Sequence, residues 1–175
     1  MSEMSRKSVL ELLAGEDRRS TGRSDEVARM VTRNPRLFRI LISGLCSDDA
    51  LVRMRAADAA EKVTRGFPAL LQPHKKALLG LLAETRQQEV RWHVAVMIPR
   101  LELTRNERRR AAEVLETYLE DHSSIVKTFA LQGLADLAQQ DHSLREPVIE
   151  HLRKSLRRGT PAMNARSRRL LARLS

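Results

Sequence analysis

At 175 residues, with 42% hydrophobic and 31% charged side chains but only 3% aromatic, the chain has the balance of one mainly helical domain rather than a sheet protein. Its single cysteine, Cys46, excludes an internal disulfide framework, and no CxxC or HxxxH pair suggests zinc, so neither metal nor cofactor is expected and the compartment reads as cytoplasmic. The formal net charge of +10 is uneven, since residues 145–175 carry nine Arg and Lys against two Glu, which points toward acidic partners.

The first segment, residues 1–33, reads as a shortened hairpin in which Ser8 to Ala14 and Ser24 to Thr32 are joined by the polar, basic loop Gly15 to Arg23. Val9 to Leu13 is its apolar run, and Glu11 interrupts it, too short for a signal-peptide core or a membrane span. From residue 34 onward the chain repeats. Segments beginning at Val52, Val90, Val126 and Met163 superimpose without a gap at intervals of 38, 36 and 37 residues, the period of a helix pair. A partner helix precedes each: Leu37 to Cys46, His74 to Leu82, Arg108 to Leu119, and Val148 to Leu156. The pairs are therefore 34–66, 67–103, 104–140 and 141–175.

Within each second helix the apolar residues recur at i, i+4, i+7, i+8 and i+11, the stripe that a helix turns toward a core. The columns run Val52, Val90, Val126, Met163; Ala56, Val94, Ala130, Ser167; Ala59, Met97, Gly133, Leu170; Ala60, Ile98, Leu134, Leu171; and Val63, Leu101, Leu137, Leu174. Ser167 is the plainly polar member. Caps are expected at Asn34 before Pro35, Thr104 with Glu107, Ser143 with Glu146, and Thr160 before Pro161, with Gly66 and Gly159 at helix ends. Pro99 should bend the second helix of its pair. The column Ala57, Ala95, Leu131 is continued by Arg168, a polar face suited to a terminal repeat.

Three second helices open with a β-branched residue and a cation, Val52-Arg53, Val90-Arg91 and Val126-Lys127, and in this the chain resembles HEAT repeats over about four fifths of its length. The resemblance implies an all-α fold: a short right-handed solenoid of about four helix pairs plus the shortened N-terminal hairpin, one domain spanning 1–175. It also implies a structural ladder in which those cations meet an acidic residue of the preceding turn. Asp48 or Asp49 would serve Arg53. Arg91 has only Gln87 and Glu89 nearby, Asp121 precedes Lys127, and the fourth segment carries Asn164 in place of a cation.

By the same resemblance the second helices line a concave surface. Its columns would be Met54, Trp92, Thr128, Ala165; Arg55, His93, Phe129, Arg166; Asp58, Val96, Gln132, Arg169; and Lys62, Arg100, Asp136, Arg173. The candidate binding residues are thus Met54, Arg55, Trp92, His93, Arg100, Phe129, Arg166, Arg169 and Arg173. Arg166, Arg169 and Arg173, spaced i, i+3, i+7, form one basic stripe, which is either a solvated helix face or an anion-binding wall. Trp92 and Phe129 are either packing residues between small neighbours or exposed anchors for a partner.

Three functions compete on this pattern. A non-enzymatic scaffold holding a protein or acidic peptide needs the fewest special residues. Nucleic-acid binding would use the stripe together with Arg153, Lys154, Arg157 and Arg158, and would show steep salt dependence. HEAT-like DNA glycosylases place a catalytic aspartate on a basic concave surface, but the position four after Trp92 is Val96, and Asp58 and Asp136 have no evident aromatic cage. His93 has no Ser, Cys or carboxylate at a catalytic spacing, so no enzymatic residue is assigned.

Overall fold

A computed structural model describes residues 9–17 and 20–174. Ser8 at the start of the first expected helix, Arg18 and Arg19 in its loop, and Ser175 lie outside the described residues. Among those described, every regular element is helical. In order they are α1 (residues 9–13), α2 (Ser24–Arg33), a 3-10 turn Pro35–Leu37, α3 (Phe38–Gly44), α4 (Ala50–Gly66), a 3-10 stretch Pro68–His74, and α5 (Lys75–Glu84). Then follow α6 (Gln88–Met97), a 3-10 turn Ile98–Arg100, α7 (Arg105–Tyr118), α8 (Ser124–Gln140), a 3-10 turn His142–Leu144, α9 (Arg145–Arg158) and α10 (Pro161–Leu174). Helices thus fall where the repeat places them. Two compact units divide the chain, residues 1–76 and 77–175, with the boundary inside the 67–103 pair.

In residues 1–76, α4 packs against α2 and α3. Ala56, Ala57, Ala59 and Ala60 are fully buried, and these small side chains let neighbours close in. A Cβ on Gly44 would lie 2.9 Å from that of Ala56. The N-terminal segment changes what the sequence suggested for α4. Arg55, expected on an open surface, is 3% exposed. Its Nη1 donates to the carbonyls of Leu13 (3.1 Å) and Ala14 (2.7 Å), Nη2 to Asp17 (2.9 Å) and Nε to Ser20 (3.3 Å). A loop has no neighbouring strand to satisfy its carbonyls, and one guanidinium supplies the donors.

Glycine makes that approach possible. Gly15 and Gly22 have φ of 142° and 54°, and a Cβ on either would fall 2.9 Å or 2.6 Å from the Arg55 guanidinium. Asp58, also expected to be exposed, is buried: it accepts from Ser24 Oγ at 2.5 Å and from Lys62 Nζ at 2.6 Å, while Lys62 also donates to Asp25. The α1–α2 hairpin therefore covers the face of α4 that the sequence left open.

In residues 77–175, α8 touches α6, α7, α9 and α10. Its core columns are buried as expected, with Leu171 half-buried and the polar Ser167 fully buried. Gly133 sets the α6–α8 distance, since a Cβ there would meet the carbonyl oxygen of Ala95 at 2.3 Å. Tyr118 Oη donates to the carbonyl of Leu82 at 2.5 Å, tying α7 to α5. Ala95 and Leu131 are buried and Arg168 is exposed.

Several local expectations change. Pro99 does not bend a continuous helix. With no N–H to bond Ala95, it ends α6 at Met97 and the chain continues as a 3-10 turn whose Pro99 carbonyl accepts from Gln140 Nε2 at 2.6 Å. Thr104 and Glu107 form the expected capping box. Asn34 makes no side-chain cap bond, and the turn before α9 is capped by Asp141, which accepts from the Ser143 amide and hydroxyl, rather than by Ser143 itself. Thr160 Oγ1 accepts from Met163 N at 3.4 Å. Gly66 is the last residue of α4, and Gly159 caps α9.

Candidate binding surface

The predicted surface residues are shared between the two units. Met54 lies half-buried on α4, and Arg55 is removed from the candidate surface by the N-terminal loop. The others, Trp92, His93, Arg100, Phe129, Arg166, Arg169 and Arg173, belong to residues 77–175, on α6 and its following turn, α8 and α10. Thr128 and Val96, expected to be outward-facing, are buried there because α8 packs on both sides.

What remains open carries aromatic rings on α6 and α8 and arginines on α10. The Trp92 and His93 rings lie 5.7 Å apart at an interplanar angle of 60°. The guanidinium of Arg166 sits 5.6 Å from the centre of the Phe129 ring, a cation–π distance. Trp92, His93, Phe129 and Arg166 are all half-buried, so neither aromatic is fully packed away and neither is fully exposed.

The arginine stripe is only partly free. Arg166 Nη1 donates to Gln132 Oε1 at 2.8 Å, and Arg173 Nη2 donates to Asp136 Oδ1 at 3.0 Å and Gln139 Oε1 at 2.6 Å. Gln132 Nε2 in turn donates to Asp136. Burial, and then the neighbouring charge of Arg169, lowers the pKa of Arg166 below its ordinary value, against a smaller opposing effect of Asp136.

The ladder residues separate into different roles. Asp49 caps α4 by accepting from Leu51 N at 2.8 Å, while Arg53 donates to the carbonyls of Ser47 (2.7 Å) and Asp48 (3.0 Å). Arg91 repeats that pattern: its Nε donates to the carbonyl of Thr85, six residues back, at 2.8 Å. Its Nη1 reaches forward to Asp121 Oδ2 at 2.6 Å, and its guanidinium lies 4.8 Å from the Tyr118 ring centre. Asp121 therefore serves the cation of the preceding pair, not Lys127. Burial would raise the Asp121 carboxyl, but the Ser123 amide and Arg91 outweigh it and hold it below the usual range.

Lys127 instead lines a cavity of about 300 Å³ where α7, α8, α9 and α10 meet. Linear reading missed this cavity because its residues come from four helices. Of the carboxylates considered for catalysis, Asp58 is buried in its network with Ser24 and Lys62, and Asp136 is engaged by Gln132 and Arg173. Among the described residues there is no cluster of His, Cys, Asp or Glu suited to a metal ion, and no helix is long and apolar enough to cross a membrane. Compared with known proteins, the chain matches no family model and no curated sequence.

Proposed function

We propose that the chain is built of HEAT-like helix pairs and acts as a non-enzymatic binding module, with the α6, α8 and α10 face holding an acidic protein segment. The observation that carries this reading is the pairing of half-buried Phe129 on α8 with Arg166 on α10, together with half-buried Trp92 and His93 on α6, a helix that also packs on α8. Half-buried aromatics flanked by arginine combine a flat apolar contact with a directional donor, the composition of binding hot spots. Gln132 and Asp136 interleave with the arginines. That mixture suits the alternating chemistry of a peptide better than the uniform charge of a phosphate backbone.

A nucleic-acid reading draws on a different observation: Arg153, Lys154, Arg157 and Arg158 are all exposed on α9, next to α10. One titration separates the two. Trp92, the chain's one tryptophan, lies on the proposed face and reports binding directly. A labelled acidic amphipathic peptide, duplex DNA, single-stranded DNA and RNA are titrated over a range of salt, alongside a variant with Arg166, Arg169 and Arg173 changed to Glu. The peptide is expected to shift Trp92 emission and to lose binding in the variant. Nucleic-acid binding with a steep negative salt slope, no Trp92 response and no peptide binding would replace this reading by the second one.

A further inference from the structure

The cavity between the ends of α7, α8, α9 and α10 lies outside the proposed peptide face. Its charged wall includes Lys127 on α8 and Lys154 and Arg158 on α9, and none of the three makes an ion pair with a described residue. Helix dipoles account for only part of this. Arg158 sits in the last turn of α9, where cations are favourable, but Lys154 lies before that turn and Lys127 sits in the first turn of α8, beside the helix's own positive end. A cation placed there is held against its helix's field.

The repeat register makes the anomaly specific. In the preceding pair, Arg91 follows Val90 and meets Asp121, which lies five residues before Val126, at 2.6 Å. The equivalent positions one pair later are Lys127, following Val126, and Arg158, five residues before Met163. Where one rung closes as an ion pair, the next presents two cations to one cavity. Ser155, one turn from Arg158, adds a third observation: it lines the same cavity, is 7% exposed, and its Oγ makes no hydrogen bond with any described residue. An unpaired buried hydroxyl beside unpaired cations is a donor set awaiting an acceptor.

We propose that this cavity binds a small phosphomonoester, its dianionic head held between Lys127, Lys154 and Arg158 with Ser155 Oγ donating, and its organic body against Leu119, Leu131 and Met163. A dianion restores the charge alternation that the rung lacks, and a phosphoryl group offers enough acceptor oxygens for all four donors. Glu116 and Glu120 on the α7 side confine the anion to the α8–α9 side, and Glu116 is already turned toward His151 Nε2 at 3.4 Å. At about 300 Å³ the space is at the small end of ligand sites, which sets the ligand near the size of a phenyl phosphate.

The test is isothermal titration of the full chain with phenyl phosphate, and with inorganic phosphate as the head group alone. Phenyl phosphate is expected to bind one per chain and more tightly than inorganic phosphate. Lys127→Gln and Arg158→Gln are each expected to weaken it at least tenfold, Ser155→Ala severalfold. Arg158→Asp guards against loss through misfolding, since it rebuilds the rung of the preceding pair. It should abolish binding while leaving the melting temperature at or above that of the parent, and phosphate should raise the melting temperature of the parent but not of that variant. No saturable binding to the parent, or binding that survives both Lys127→Gln and Arg158→Asp, overturns the proposal. Neither result touches the peptide reading, whose arginines lie on α10.

Discussion

Gly133 offers the sharpest test of the packing. A methyl group there would stand 2.3 Å from the Ala95 carbonyl oxygen and 3.1 Å from Leu115 Cδ1. The first of these is backbone, which no rotamer change can move, and it falls about 1 Å short of ordinary contact, so α6 and α8 must part. Overpacking costs about 1–3 kcal/mol, and a clash with a backbone carbonyl belongs in the upper part of that range, about 2–3 kcal/mol; Ala in place of Gly inside a helix returns about 1 kcal/mol, which leaves Gly133→Ala destabilised by roughly 1–2 kcal/mol. Gly80→Ala is the matched control, because a Cβ at that α5 position meets nothing within 4 Å. It should stabilise by about 0.5–1 kcal/mol through the helix term alone. Urea unfolding followed by Trp92 emission reads the unit that holds both sites. If Gly133→Ala is as stable as the parent, or if both substitutions shift stability in the same direction, the close α6–α8 approach is wrong.

Other expectations follow from single residues. Arg55→Ala removes the donors for four carbonyls of the N-terminal segment and should cost about 1–3 kcal/mol, with faster amide hydrogen exchange in residues 9–17 and 20–33. Unchanged exchange there would show that the loop does not depend on the guanidinium. Tyr118, the chain's one tyrosine, is pushed up to about 12 by burial, with Arg91 acting in the opposite sense. Folded and unfolded chains are both neutral at this site below pH 10. Between pH 10 and about 12 only the unfolded chain ionises, so the stability that Tyr118 supplies is lost over that window, by about 1.4 kcal/mol per pH unit at most. Absorbance at 295 nm should therefore rise together with the loss of helical circular dichroism, and ionisation near pH 10 with helices intact would place the hydroxyl in water.

Much of the helical frame was legible because its signal is periodic. The five apolar columns from Val52, Val90, Val126 and Met163 needed only helix geometry to be read as core, and 19 of the 20 positions are buried, Leu171 being half-buried. The surface was read less well, for a physical reason: exposure depends on what a neighbouring segment covers. Arg55 and Asp58 have the spacing of outward residues, yet the α1–α2 hairpin lies over them, and nothing in a helical period announces a cover supplied from elsewhere in the chain. One rung of the ladder has a different partner from the one its sequence position suggests. Asp121 is near Lys127 in sequence, but its carboxylate turns back toward Arg91, 30 residues earlier, a direction set by packing alone. Lys127 was read as a ladder cation and Arg158 as a phosphate contact, and that both line one cavity follows from packing that linear spacing does not show.

The position of α8 has a consequence for how residues 77–175 come apart. One helix in contact with α6, α7, α9 and α10 leaves little room for piecemeal opening, since any fluctuation that frees α8 also strips four neighbours of their shared wall. Cooperativity is therefore concentrated in a single element, whose buried face sets Ala130, Gly133, Ala135 and Ala138 beside Val126, Leu131, Leu134 and Leu137, so that close backbone approach and apolar contact are lost together.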